Sequence, residues 1–169
     1  MSRTAIRPKF AKAQRTISAS ALGMSRRVWG SRSSQQALSD LAKIAEITHA
    51  LHRQTSVKNV LYTGISELGK YMQVSRTVGA QGKGAGQTAV EFCSPGAPQS
   101  SPQALARLLS LVSQQTLDPE SGLVLEAQRT PALKEADAQS LLAIPLIDKE
   151  KDEQTGLIAL VQADRHRAW

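Results

Sequence analysis

Two apolar segments at the end of the chain constrain its fold more than any other feature. Residues 140–148 read SLLAIPLID and residues 155–163 read TGLIALVQA, with the charged run DKEKDEQ at 148–154 joining them. Consecutive apolar residues are typical of strands that are buried on both faces. The charged run predicts a solvated hairpin tip. Pro145 predicts a bulge or an unpaired amide in the first strand. A sheet with these strands at its centre needs a covering layer on each face.

Helical periodicity upstream provides such layers. Apolar residues recur at helical spacing over 37–53, a second helix follows a Thr55 or Ser56 N-cap, and a third begins at Pro102. Strands are predicted at 74–80 and 88–93, around a flexible glycine-rich turn, and at 123–127, before a short helix or turn at 131–138. The order predicts an α+β fold, in which a mostly antiparallel sheet has two helices before it and another across its other face.

The basic residues are concentrated in the N-terminal tail. Of the 21 Lys and Arg residues, eight lie in residues 1–39, which contain no Asp or Glu. We predict a disordered basic tail at 1–34 and one domain at 35–169. The tail also resembles an organelle transit peptide, which keeps organelle targeting open as an alternative to a cytoplasmic location. It predicts weak, non-specific contacts with anionic membranes or nucleic acid. No stretch is long enough for an integral membrane segment.

No combination of residues in the sequence predicts catalysis or a metal site. Cys93 is the single cysteine, which excludes an internal disulfide and fits a reducing compartment. No base lies near it, so a buried structural thiol is favoured over a nucleophile. His49 and His52 are three residues apart without a third ligand, which favours surface histidines. Gly84, Gly86 and Ala89 form a G-x-G-x-x-A string, but a strand and not a helix follows it, so a hairpin loop is favoured over a dinucleotide site.

The order of elements resembles that of a GAF domain, over residues 38–169. The stretch LAKIAEITHALHRQTSVKNVLYTGISELGKYMQVSRTVGA is similar to the family's opening helices and first strand, and SLLAIPLIDKEKDEQTGLIALVQA is similar to its closing hairpin. GAF domains are sensory modules of bacterial histidine kinases, response regulators, phytochromes and phosphodiesterases. The family's final helix commonly starts near an aromatic residue such as Trp169, so the chain resembles a GAF domain truncated before that helix.

The resemblance implies a non-enzymatic regulatory module of the bacterial two-component type, which binds a small ligand or a partner protein. The family's bilin-binding motifs place a Cys beside a His or within Asp-x-Cys-Phe, and Cys93 lies in EFCSP, so we expect no bilin and no other cofactor. The alternatives are a small-molecule enzyme that uses Cys93, and a scaffold that docks through its basic tail.

Two candidate surfaces follow from this interpretation. If a ligand binds, we expect it between the sheet and residues 94–129, near Phe92, Cys93 and Leu125. Without a closing helix, we expect exposed apolar surface on the strand 156–161 and on the first two helices. A second copy would cover this surface, so we predict a homodimer interface that is formed by residues of the first helix, namely Leu41, Ile44, Thr48 and Leu51.

Overall fold

A computed structural model describes residues 34–82 and 87–169. These residues form three α-helices, five strands and one 3-10 helix. In chain order they are α1 (Ser34–His52), α2 (Val57–Met72), β1 (Arg76–Gln81), β2 (Thr88–Cys93), α3 (Pro102–Ser113), β3 (Leu123–Glu126), the 3-10 helix (Pro131–Ala136), β4 (Ser140–Asp148) and β5 (Glu153–Gln162). The predicted order and the α+β class are confirmed.

All neighbouring strands of the sheet are antiparallel, in the order β2-β1-β5-β4-β3. The closing hairpin β4–β5 therefore lies in the interior of the sheet, as the apolar segments predict. Between β4 and β5 the register shifts after Leu146, where Thr155 is left without a partner on β4. Pro145 is accommodated because β3 pairs only with residues 140–143 of β4, so no β3 amide or carbonyl lies beside the proline. The predicted irregularity is thus present, one residue beyond Pro145.

Serine caps begin the two helices that cover the sheet. The Ser56 hydroxyl accepts the amide of Asn59 at 3.2 Å, and the Ser101 hydroxyl accepts the amide of Ala104 at 3.1 Å. Pro102 occupies the first turn of α3, where its missing amide has no helical partner to lose. α2 ends at Gln73, a left-handed residue (φ 52°) whose amide donates to the carbonyls of Gly69 and Lys70.

One face of the sheet, which we call the α3 face, carries the main core. The buried side chains of α3 and of the 3-10 helix pack there against alternate residues of the central strands. These core residues include Leu108, Val112, Leu133, Leu141, Ala143, Leu157, Ala159 and Val161. The face is closed because a helix, a 3-10 turn and the loops between them all lie over it.

The opposite face, which we call the α2 face, is covered over part of its width. Leu61 and Ile65 of α2 pack against Val90 of β2, with Phe92, Leu146 and Ile158 partly buried around them. Further along the sheet, Ile144 of β4 is 37% exposed and Val124 of β3 is 46% exposed. The prediction that β4 is buried on both faces is therefore wrong, because α2 lies mainly over β1 and β2 and reaches β4 only near Leu146.

The predicted exposure of the strand 156–161 is also wrong. Leu157, Leu160 and Val161 are at most 4% exposed. β5 is the central strand, and the segment after it folds back onto the domain. The amide of Arg167 donates to the Ser140 hydroxyl at 3.1 Å, and its guanidinium donates to the carbonyl of Met72 at 2.6 Å.

The chain divides after residue 41, and the whole sheet belongs to the compact unit of residues 42–169. The predicted disordered tail, 1–34, lies outside the described residues except for Ser34, which begins α1 and is helical. No residue of α1 is buried, and its Leu38, Leu41 and Ile44 are 67%, 62% and 59% exposed. In the described ranges, no helix has the length and apolar character needed to cross a bilayer.

Candidate ligand-binding site

A cavity of about 810 Å³ lies between α3 and the end of the sheet at which β1 stops and β5 starts. We call it the α3 cavity. Its walls come from α3 and nearby Gln115, from the two sides of the β1–β2 hairpin, and from the start of β5. The lining residues are Gly82, Gln87, Ala89, Pro102, Leu105, Ala106, Leu109, Ser110, Val112, Ser113, Gln115, Gln154, Thr155, Gly156 and Leu157.

α3 presents two adjacent stripes, which explains how one short helix supports both the core and a cavity. Ala104, Leu108 and Val112 are buried, and Val112 also lines the cavity. The stripe beside them, which begins at Pro102 and continues through Leu105, Ala106 and Leu109, lines the cavity. Positions three and four apart share a helix face. The small side chain of Ala106 leaves room that a larger residue would occupy.

The start of β5 forms the opposite wall through its bulge. The Thr155 carbonyl accepts the amide of Gly82 at 2.9 Å, and the Thr155 hydroxyl donates to the carbonyl of Leu146 at 3.3 Å. A Cβ at Gly156 would meet the backbone carbonyl of Ala80, so this position requires glycine. The bulge therefore brings the β5 backbone close to β1 at the edge of the cavity.

The described residues that line the α3 cavity are uncharged. Polar groups come from three glutamine amides, two serines and one threonine, and the remainder are apolar or small. Amides and hydroxyls both donate and accept hydrogen bonds, which suits a ligand with carbonyl, amide or hydroxyl groups. An anionic ligand would find no cationic side chain among these described residues.

The structure does not bring the predicted pocket residues together. Cys93 and Leu125 occupy the two ends of one cross-strand row on the α3 face, with Arg76, Val161 and Leu141 between them. Four strand spacings of about 4.8 Å separate them by about 19 Å.

Phe92 lies on the α2 face, against Gly69 of α2. Thus Phe92 is separated from Cys93 and Leu125 by the sheet itself, and none of the three lines the α3 cavity. The predicted location between the sheet and residues 94–129 does coincide with the cavity, but the three named residues do not form it. Side-chain alternation along β2 sends neighbouring residues to opposite faces, so Phe92 and Cys93 could not share one pocket.

The Cys93 thiol lies in a half-buried site beside an acidic residue. Its Sγ is 3.9 Å from the carbonyl oxygen of Pro98. Burial, with a contribution from the nearby Glu91 carboxylate, raises the pKa of Cys93. A raised pKa lowers the thiolate fraction at neutral pH, which makes the sulfur a poor nucleophile.

A buried ion pair beside Cys93 is the feature that the sequence analysis missed. The side chains of Arg76 and Glu91 are 2% and 4% exposed, and their Nη1 and Oε1 atoms are 3.9 Å apart. The Ser100 hydroxyl bridges them: it accepts from Arg76 Nη1 and donates to Glu91 Oε1 at 2.5 Å. Arg76 Nη2 also donates to the carbonyls of Ala136 and Asp137, at 3.0 and 2.6 Å.

This group, which we call the Arg76–Glu91 pair, joins β1, β2, the loop before α3 and the end of the 3-10 helix. A glutamate between Val90 and Phe92 in an apolar strand was the signal for it, since charged residues are almost never fully buried unless they are paired. Its partners come from distant parts of the chain, so the sequence did not identify them.

The remaining motifs form no site among the described residues. His49 and His52 lie exposed in the last turn of α1. Within 34–82 and 87–169, no group of three or more His, Cys, Asp or Glu side chains could hold a metal ion. Of the glycine-rich string, Gly84 and Gly86 lie outside the described residues.

Solved structures of the same architecture identify the fold. A GAF domain from an Acinetobacter phosphoenolpyruvate-protein phosphotransferase superposes with a TM-score of 0.54 at 14% identity, over 80% of this chain and 81% of that one. The chain has a GAF-type fold. The phycoerythrobilin-bound GAF domain of a cyanobacterial phytochrome gives a TM-score of 0.50 at 14% identity, over 79% of this chain and 86% of the other.

An N-acylhomoserine-lactone-dependent LuxR-family transcription factor from Burkholderia cenocepacia has a similar fold, with a TM-score of 0.53 at 13% identity, over 78% of this chain and 82% of that one. No protein-family model and no curated protein matches the sequence. At these identities the similarity establishes the GAF fold alone, so ligand and output depend on the chain's own residues.

Proposed function

We propose that this GAF-fold chain is a non-enzymatic sensory module that binds a neutral, partly apolar small molecule in the α3 cavity. The observation that carries the proposal is the lining: a cleft of about 810 Å³ whose described side chains are apolar, amide or hydroxyl groups without a charge. Pockets of roughly 300–1,000 Å³ with an apolar lining and a few polar groups are typical of small-molecule sites.

The similar structures support a ligand-binding role for the fold. One contains a bound phycoerythrobilin, and another belongs to a transcription factor that depends on N-acylhomoserine lactones. Both ligands are organic molecules with extended apolar parts. A role in bacterial two-component signalling, as the sequence resemblance implies, would make this chain the input module of such a system.

A bilin fits the α3 cavity poorly. Linear tetrapyrroles carry propionate carboxylates, and the part of the lining that lies within 34–82 and 87–169 has no Arg, Lys or His to pair with them. The single cysteine does not line the cavity, so its thiol is not positioned for covalent attachment there. We therefore propose a neutral ligand, for which hydrogen bonds to amides and hydroxyls suffice.

Filling the cavity tests this function. N-octanoyl-homoserine lactone, a neutral amphipathic probe, and a set of neutral fragments are titrated while the melting temperature is recorded, because a ligand that binds the native state stabilises it. We expect a concentration-dependent rise in the wild type and none in Ala106→Phe, whose ring would occupy the cavity. Gln103→Phe is the matched control, since Gln103 is exposed on the same helix and does not line the cavity. Equal stabilisation of both variants would place the ligand elsewhere.

The alternative enzyme that uses Cys93 makes a different prediction. A catalytic thiol should react quickly with iodoacetamide at neutral pH, whereas the raised pKa of Cys93 favours slow labelling. Labelling of Cys93 at the rate of a small free thiol, with turnover of any substrate, would favour the enzyme. Slow labelling that accelerates on denaturation supports the non-enzymatic module.

A homodimer along α1 is the second part of the proposal. Leu41, Ile44 and Thr48 are exposed, and Leu51 is half-buried, so three of the four predicted interface residues are accessible. Light scattering of the purified chain should give a dimer that Ile44→Glu dissociates. Glu46→Lys, a charge change on a neighbouring exposed face, should leave the mass unchanged. A wild-type monomer at micromolar concentration would contradict the interface.

A further inference from the structure

An apolar groove of about 480 Å³ lies on the α2 face, between the end of α1 and the start of α2. We call it the α1–α2 groove. The described residues that line it are uncharged, and half of them have large aliphatic side chains. They are Leu51, Gln54, Thr55, Ser56, Val57, Val60, Leu61, Gly64, Gln81, Leu146, Thr155 and Ile158.

The groove has a buried floor and an exposed rim. Leu61 belongs to the small core of the α2 face, and Leu146 and Ile158 of the sheet are partly buried beside it. On the rim, Val57 is 60% exposed and Val60 is 37% exposed. Aliphatic side chains that line an open groove gain stability when another surface covers them, and such surfaces mark interaction sites.

α1 carries a ridge of side chains that runs into one wall of this groove. Leu51 lines the groove, and its Cδ2 lies 3.5 Å from the position that a Cβ on Gly64 would occupy. Thr48 and Ile44 share the helix face of Leu51, because they precede it by three and seven residues. Ile44 is 59% exposed. The Thr48 hydroxyl donates to the Ile44 carbonyl at 2.8 Å, so the polar group of the ridge already has a partner.

The charged residues that flank Ile44 in the sequence are paired within the chain. Lys43 Nζ lies 3.1 Å from Glu46 Oε1 and 3.2 Å from Glu67 Oε2. The ridge and the described lining of the groove are themselves uncharged. Contact between such surfaces therefore buries no unpaired charge, which would be strongly unfavourable.

The ridge alone is too small for a stable interface. Such interfaces bury roughly 800 Å² per partner and involve about 20–30 residues a side. The interface predicted on α1 consists of Leu41, Ile44, Thr48 and Leu51, and the groove adds its own lining residues, with Leu51 common to both. The combined surface approaches the required size. A small molecule in the groove would cover the floor and leave the ridge exposed.

We propose that a second copy of this chain covers the α1–α2 groove, so that the ridge of each copy lies in the groove of the other. The inference rests on the homodimer of the proposed function and extends its interface from α1 to the start of α2 and to β4 and β5. A two-fold axis lets one pair of surfaces serve both copies. Because Leu51 belongs to the ridge and to the groove, the axis passes near it, and the two Ile44 side chains lie on opposite sides of the axis.

A charge on the groove rim tests the extended interface. Val57→Glu places a carboxylate at the first residue of α2, where the helix dipole favours a negative charge, so the variant should fold. Burial of that unpaired carboxylate should raise the dimer dissociation constant at least about tenfold in light scattering over a dilution series. Asn59→Glu is the matched control, since it adds the same charge to the same turn outside the groove lining and should dimerise as the wild type does.

The outcomes separate the groove from the α1 interface. If Ile44→Glu dissociates the dimer and a folded Val57→Glu does not, the α1 interface stands and this inference is wrong. If the wild type is a monomer at high micromolar concentration, both are wrong. Melting temperatures of the variants show that folding is retained.

Cysteine pairs test the arrangement directly, in a Cys93→Ser background that removes the native thiol. Chains with Ile44→Cys, mixed with chains with Val60→Cys, should form an intermolecular disulfide on mild oxidation. Chains with Ile44→Cys alone should cross-link slowly, because the axis separates the two positions. Rapid cross-linking of Ile44→Cys with itself, without the mixed product, would show that α1 packs on α1 and would overturn the proposal.

Discussion

The two faces of the sheet use similar apolar strands in different ways. On the α3 face, α3 and the 3-10 helix enclose a continuous core, and a buried ion pair joins four segments at its margin. On the α2 face, three buried residues form a small core, and Ile144 and Val124 are exposed beyond it. The strands pass through both environments, since each contributes alternate residues to each face. The burial of a strand residue in this fold therefore depends on what lies over that face of the sheet. The apolar sequence of β4 did not show that one of its faces is exposed.

The largest expected effect comes from breaking the Arg76–Glu91 pair on the α3 face. Glu91→Gln leaves a buried guanidinium without its counter-charge, which typically costs about 3–5 kcal/mol. Because total stability is roughly 5–15 kcal/mol, a domain at the low end of that range would be close to unfolding at ambient temperature. Urea denaturation at neutral pH measures the loss.

The double variant Arg76→Met with Glu91→Met is the control for this prediction. Replacing both charges by apolar side chains is often neutral or stabilising, so it should recover most of the lost stability. If Glu91→Gln is as stable as the wild type, the pair is not buried in solution and water reaches this margin of the α3 face.

Shortening one side chain on each face of β4 gives the next largest expected loss of stability. Leu141→Ala removes a side chain that is 0% exposed on the α3 face. Such truncations cost about 2–5 kcal/mol because they leave a cavity. Ile144→Ala, three residues along the same strand on the α2 face, should cost less, since Ile144 is 37% exposed. Equal losses in chemical denaturation would show that something covers the α2 face in solution.

Removing the helix caps compares the two covering helices directly. Ser101→Ala deletes the acceptor for the Ala104 amide in α3, and Ser56→Ala deletes the acceptor for the Asn59 amide in α2. Each should cost about 1 kcal/mol. Hydrogen exchange should rise mainly in the first turn of the altered helix. Loss of protection across the whole of α2, but not across α3, would show that the α2 face is held by the weaker layer.

The smallest expected effect is the pH-dependent contribution of Glu67, on α2, to the stability of the domain. Hydrogen bonds from Lys70 first, and then from Lys43, lower the pKa of Glu67 below its ordinary value of 4.5. The folded pKa is the lower one, so this contribution is present above the unfolded pKa and is lost as pH falls through the folded pKa. Glu67→Gln should therefore be less stable than the wild type at neutral pH, and the difference should shrink on acidification.

Glu46→Gln serves as the comparison, because Glu46 contacts the same Lys43 but is 66% exposed. Urea midpoints at a series of pH values give both differences. If the Glu67→Gln difference does not change with pH, the link that Lys43 makes between α1 and α2 does not contribute to stability.

Much of the local structure followed from the sequence because its signals are local. Ser56 and Ser101 cap helices through amides three residues away, and the charged run at 148–154 forms the expected hairpin tip. The irregularity near Pro145 was also predicted, since a proline cannot donate to the strand ladder. The predicted pocket residues do not lie together, because their positions depend on how distant segments pack. Phe92 lies on the α2 face, whereas Cys93 and Leu125 lie on the α3 face at opposite edges of the sheet.

The sequence by itself determined the element order, the central position of the closing hairpin and the α+β class, because apolar periodicity and turn chemistry act over a few residues. Only the tertiary structure decided that Arg76 meets Glu91 and Ser100, that β4 is open on one side, and that the α3 cavity and the α1–α2 groove lie on opposite faces of the sheet. Those features depend on strand register and on the placement of helices over the sheet. Both arise from the packing of residues that lie far apart in the chain, and no local pattern encodes them.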